Sequence, residues 1–116
     1  MAFGWLHKLH KSDEEKAYEQ VVNAETPEHK AKLSHELISA AAAYEAAKAY
    51  EDHCAANGKP DSHAKAKELM AAFSAAFVDR MVETKGLDNI DKQKAKHDAK
   101  KRAEEQSEEI LVVEYN

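Results

Sequence analysis

Seven histidines in a chain of 116 residues are the side chains best suited to chemistry, because a neutral imidazole ligates transition metals and haem iron. Their spacing decides which of them could cooperate. His7 and His10 are three residues apart, so one helical turn can bring both rings to the same ion, which makes them the candidate metal pair. His53, Cys54 and His63 flank one turn of chain. His35 and His53 share a helical face but are separated by about 27 Å along the axis, too far for a common ion. His35, His63 and His97 are conceivable axial ligands for a bound haem, the candidate cofactor-binding set. Against these readings, a structural zinc site takes four ligands in short-range pairs, and the chain has no Cys-x-x-Cys, His-Glu-x-x-His or EF-hand spacing. Solvated surface histidines, with no cofactor, are the expectation.

Covalent catalysis finds little support. Cys54 follows His53 directly, and neighbours on a helix diverge by about 100°, so the pair is not a nucleophile with its base. Three glycines are too few for a phosphate-binding loop, and no nucleophile elbow or dinucleotide fingerprint occurs. The expected protein is therefore not an enzyme. Arg80 falls within the apolar stripe of its own helix, where its stem can pack while its head reaches water or a carboxylate such as Glu36 or Glu45.

The opening stretch MAFGWLHKLHK, residues 1–11, is an aromatic arm. As a helix it gathers Phe3, Trp5, Leu6 and Leu9 on one side and His7, Lys8 and Lys11 on the other. Eleven residues bury little area in a bilayer, so any membrane-surface contact would be weak and reversible. A lid on the core, or a partner-binding surface formed by these four apolar residues, fits better in a protein with only 7% aromatic residues.

The elements that must position these groups follow from composition. The length suits one domain spanning 1–116. A net charge of −5, with neither half basic, disfavours nucleic acid, whose binders derive most of their affinity from neutralising phosphate. The lone cysteine, the missing signal-peptide pattern and the shortness of the longest apolar run, ISAAAAY, point to a cytoplasmic protein without a membrane span. Ala2 stands where myristoylation requires glycine.

Sparse glycine, proline and β-branched residues predict long helices joined by short turns. Ser12 and Glu15 have capping-box spacing for a first helix to about Asn23, with Ala17, Tyr18, Val21 and Val22 on its apolar face. Thr26 and Pro27 open a second helix predicted to run unbroken to Asn57, ended by Gly58. Asp61 or Ser62 caps a third, which stops at Gly86 and carries Ala66, Leu69, Met70, Phe73, Phe77 and Met81 as its core stripe. Helices two and three form a long antiparallel hairpin. The second is apolar around nearly its whole circumference from Leu37 to Ala47, so it should lie centrally, and its excess apolar surface suggests a homodimer.

Asp88 and Asp91 start a fourth helix to about Glu109. Its seam of Ala95, Ala99, Ala103 and Ile110, with Gln106, predicts only marginal docking. Acidic residues near its end oppose the helix dipole, so the last turns are expected to fray, and the sequence leaves the conformation of the tail, residues 110–116, open, with an extended form one alternative. The fold class is all-α: a small bundle of about four helices built on the hairpin.

These stretches also resemble a known family. MAFGW, KLSHELISAAAAYEAAKAYEDH, NGKPDSHAKAKELMAAF and VETKGLDNIDKQKAKHDAKKRAEE together are similar to the CipC-like antibiotic response proteins, small and mainly fungal. The resemblance covers residues 1–5 and about 30–105. It implies a protein associated with stress or antibiotic exposure, with no established enzyme activity and no assigned catalytic or binding residues to carry over. Two places depart from the pattern. Ser39 to Ala42 stand where members often have glycine, and ILVVEYN replaces a usually polar tail. The combined expectation is a stress-associated helical protein whose partner is itself or another protein. The alternative is a carrier of haem, a metal ion or a lipid-like molecule within the bundle.

Overall fold

The computed structural model describes residues 13–87 and 90–115. Five helices run through them: α1 (Asp13–Val22), α2 (Pro27–Ala31), α3 (His35–Asn57), α4 (His63–Lys85) and α5 (Lys92–Tyr115). Among the described residues there is no strand, and the all-α class follows. No helix there is long and apolar enough to cross a membrane.

The turn chemistry explains most boundaries. Ser62 Oγ accepts the Lys65 backbone N–H at 3.2 Å and starts α4. Gly86 closes it with a left-handed φ of 62°, a conformation that side chains with a Cβ resist. The predicted second helix is in fact two. Leu33 is buried at 2% exposure in the connection between α2 and α3. The next residue, Ser34, takes an extended conformation and accepts the Leu37 N–H at 3.1 Å. A side-chain cap at Ser34 competes with continuing the helix, and burying Leu33 favours the break.

α3 occupies the centre and packs against α1, α4 and α5. Ile38, Ala40 to Tyr44, Ala46, Ala47 and Tyr50 are all buried, so the helix is covered on every side. Within it Ser39 donates its hydroxyl to the Glu36 carbonyl at 2.9 Å, which satisfies a polar group that would otherwise be costly to bury. The predicted α4 stripe holds at Ala66, Met70 and Phe77, with Leu69, Phe73 and Met81 partly buried. Ser74 and Val78 join it at 0% exposure, and Ser74 bonds the Ala71 carbonyl at 2.7 Å. On α1, Ala17 and Val21 are buried as expected, but Val22 is exposed.

α5 departs most from expectation. Ala95, Ala99 and Ala103 are each 0% exposed, so the helix is fully docked rather than marginal. Alanine has too little side chain to hold neighbouring axes apart, so α5 seats closely along α3 and α4. The helix also continues to Tyr115, where fraying was expected and the conformation of the tail was open. Part of the tertiary support comes from α4, where Lys67 Nζ reaches Glu108 at 2.6 Å.

The far end of the molecule is tied by Lys85, whose ammonium donates to the Val22 and Ala24 carbonyls at 2.9 and 2.8 Å. The Val22 carbonyl is an orphan acceptor at the negative dipole end of α1, and the Ala24 carbonyl belongs to the turn that follows it. Lys85→Met should cost about 1 kcal/mol. Hydrogen exchange should accelerate in α1 while the middle of α4 stays protected; equal protection in both would show that the clamp is idle.

Candidate interaction surface

The histidines that sequence reasoning singled out are dispersed. His35 is the first residue of α3 and His63 the first of α4. Because these antiparallel helices run about 34 Å each, the two rings stand at opposite ends of the hairpin. His97 is exposed on α5. The haem set is thus not gathered at one place. His7, His10, Phe3, Trp5, Leu6 and Leu9 lie outside the described residues. No group of three His, Cys, Asp or Glu residues able to hold a metal occurs among the described residues.

Two of the described histidines have structural work instead. His35 Nε2 accepts the backbone N–H of Asp91 at 3.0 Å, and Asp91 Oδ1 in turn accepts the Lys94 N–H at 3.1 Å. Asp91 is therefore the N-cap of α5, and the imidazole fastens that cap to the start of α3. The lone pair that would bind iron through Nε2 is engaged in this bond. The His53 ring rests 6.0 Å from the Phe73 ring at 59°. Cys54 is buried beside Tyr50, Ala66 and Met70.

Arg80 resolves in favour of Glu45, with nitrogen and oxygen 3.5 Å apart, and its guanidinium sits 5.5 Å from the centre of the Phe77 ring. Tyr18 also stacks on Phe77 at 5.9 Å and leans on Tyr44 at 5.0 Å. Burial first, then the carboxylates Glu15, Glu19 and Glu45, raises the Tyr44 phenol above its usual value. These contacts fasten α1 to the hairpin.

The polar groups converge on α5. Lys92 bridges Asp79 at 3.7 Å and Glu83 at 3.1 Å, and Lys96 pairs with Asp79 at 3.0 Å. Between α3 and α5 runs an open trough of about 380 Å³, lined in part by His35, Glu36, Ser39, Lys94, Asp98 and Lys101. Facing solvent are Lys94, His97, Lys100 and Lys101 in the first half of α5, followed by Glu105 and Glu108 in the second half. The result is a helix surface that changes from basic to acidic along its length. The sequence displayed this charge succession, but only docking of the alanine seam decides which face is left outside. A second hollow, of about 400 Å³, opens between α1 and α2 beside Lys16, Gln20, His29 and Lys32.

The Lys67 hydrogen bond holds the Glu108 carboxyl below its usual value. Its stabilisation is complete above the unfolded carboxylate value, about pH 4, and is lost as pH falls through the lower folded one. Thermal melts of the wild type and Lys67→Met should therefore differ at pH 7 and converge in strong acid. A gap that persisted unchanged at pH 2 would assign the effect to packing.

No curated protein and no solved structure matches this chain. A family model described as virulence factor CipC-like matches residues 17–110, from the middle of α1 into the last turns of α5. That span takes in the whole hairpin, the alanine seam and the charged face, and the chain belongs to the virulence factor CipC-like family.

Proposed function

We propose that this CipC-like protein is a non-enzymatic, stress-associated interaction protein of the cytoplasm, acting through its helical surface. The observation that supports this reading is the way alanine closes the interior. Ala41, Ala42, Ala43, Ala46 and Ala47 on α3 and Ala95, Ala99 and Ala103 on α5 are all at 0% exposure. Helices in contact through alanine leave little room between them for haem or a lipid chain. Lys94, Lys100, Lys101, Glu105 and Glu108 of α5 stand outside, where they can meet a partner. The association with stress rests on the resemblance to antibiotic response proteins.

Two measurements test the reading. Native mass spectrometry of mildly purified protein should give the mass of the chain or its multiples, with no retained small molecule. Stoichiometric haem, metal or lipid would replace the interaction reading with the carrier. In the source organism, sublethal antibiotic should raise the abundance of the protein, and deletion of its gene should slow recovery. Unchanged abundance together with unchanged recovery would remove the stress assignment.

A further inference from the structure

We infer that the exposed face of α5 is a self-recognition surface whose partner is a second copy of this chain, docked antiparallel. The inference rests on the reading of the protein as an interaction module and names its partner. The apolar circumference of α3, which suggested a dimer from the sequence, is covered within one chain by α1, α4 and α5. Among the described residues, no element packs over the outer side of α5.

The argument is charge complementarity. Lys94, His97, Lys100 and Lys101 are exposed in the first half of α5, and Glu105 and Glu108 in the second, with Glu104 half-buried between them. At 100° per residue these side chains share the side of the helix opposite the Ala95, Ala99 and Ala103 seam. When two such helices lie antiparallel about a two-fold axis, residues on the same flank meet across the interface. With the axis level with Arg102 and Ala103, Lys100 of one copy comes within about one residue rise, ~1.5 Å, of the level of Glu104 in the other. Lys101 meets Glu105 with the same offset, His97 comes level with Glu108, and Lys94 lies about three residue rises, ~4.5 Å, to one side of it. The two-fold repeats each contact. A parallel arrangement would set Lys100 against Lys100, so charge selects the antiparallel one.

Internal pairing competes in part: Glu104 already interacts within its own chain, with Lys67 nearby, and a contact across the dimer adds to this rather than replacing it. Lys100 with Glu104 and Lys101 with Glu105 also stand at i,i+4 in one chain, but lysine before glutamate is the less favourable order. Glu108 already holds Lys67, and carboxylates accept from more than one donor. An interface made of exposed ion pairs is weak, specific in orientation and sensitive to salt.

Sedimentation equilibrium of the full chain tests this. The wild type should dimerise in ~20 mM salt, with an association constant at least about tenfold lower in ~500 mM salt, where the Debye length falls to a few ångströms. The double variants Lys100→Glu/Lys101→Glu and Glu104→Lys/Glu105→Lys should each be monomeric, with circular dichroism confirming the native helix content. An equimolar mixture of the two should restore dimers containing one of each, read by native mass spectrometry from their different masses. Three results would overturn the inference: a wild type monomeric at every salt concentration, a dimer indifferent to both charge reversals, or folded double variants that fail to associate when mixed. A ligand-free monomer would remove the second copy as partner and leave the interaction reading standing, whereas retained haem or lipid would remove that reading itself.

Discussion

Replacing Phe77 with alanine should lower the unfolding free energy by about 3–5 kcal/mol, the range found for deleting a buried aromatic ring. Phe77 is 1% exposed and stands where α4 meets both α1 and α3, in one cluster with Val21, Ile38 and Val78. Its ring stacks on Tyr18 and carries the Arg80 guanidinium. The substitution therefore opens a cavity, removes the Tyr18 stack that fastens α1, and takes away the ring beneath the Arg80 guanidinium. Since a domain of this size has roughly 5–15 kcal/mol in all, the loss should show as a fall in melting temperature on the order of 10–20 °C. Phe73→Ala, at a partly buried position beside His53, should cost clearly less. Urea denaturation of both variants checks this order, and a loss below about 1 kcal/mol at Phe77 would mean that the ring is not the core residue its burial implies.

The second large effect comes from adding atoms. Ala99→Leu inserts a branched side chain at a position of 0% exposure, midway along the seam between Ala95 and Ala103. There is no space for it unless α5 moves outward, so it should cost about 1–3 kcal/mol, and more if Lys92 and Lys96 are drawn away from Asp79. Gln93→Leu, on the exposed side of the same helix, supplies the control and should leave stability almost unchanged. Equal melting temperatures for the two variants would show that α5 does not rely on close axial approach.

The two positions differ in how far their sequence announces them. Phe77 lies in a regular stripe with Ala66, Met70 and Phe73, and its burial could be read directly from that period. The seam that holds Ala99 was legible as a packing face too, but its full docking was not. A seam of alanines has low hydrophobic contrast with the lysines beside it, so it looks marginal on a charged helix. What it offers is closeness of approach, and closeness needs a second helix to have meaning. The same limit governed the tail, where local charge argued for fraying and tertiary support, the contact between Lys67 and Glu108 included, prevailed.

Helix starts and stops show a similar division. Ser62 and Gly86 act through their own side chain or its absence, on backbone within four residues, so their effect is written locally. Ser34 carries the same capping signal, but it sits inside a run of good helix formers that argues for continuation. Burial of Leu33 in the connection decides between the two, and burial is not a local quantity.

The sequence by itself determined that the chain is helical, that its hairpin turns at residues 58–62, that α3 is central and that its family is CipC-like, because caps, periodicity and motif order act over short stretches. Tertiary structure alone decided that Arg80 pairs with Glu45, that His35 fastens the start of α5, and that α5 shows its charges to solvent. Each of these depends on which faces of separate helices are brought together, and that choice is made by packing across the bundle.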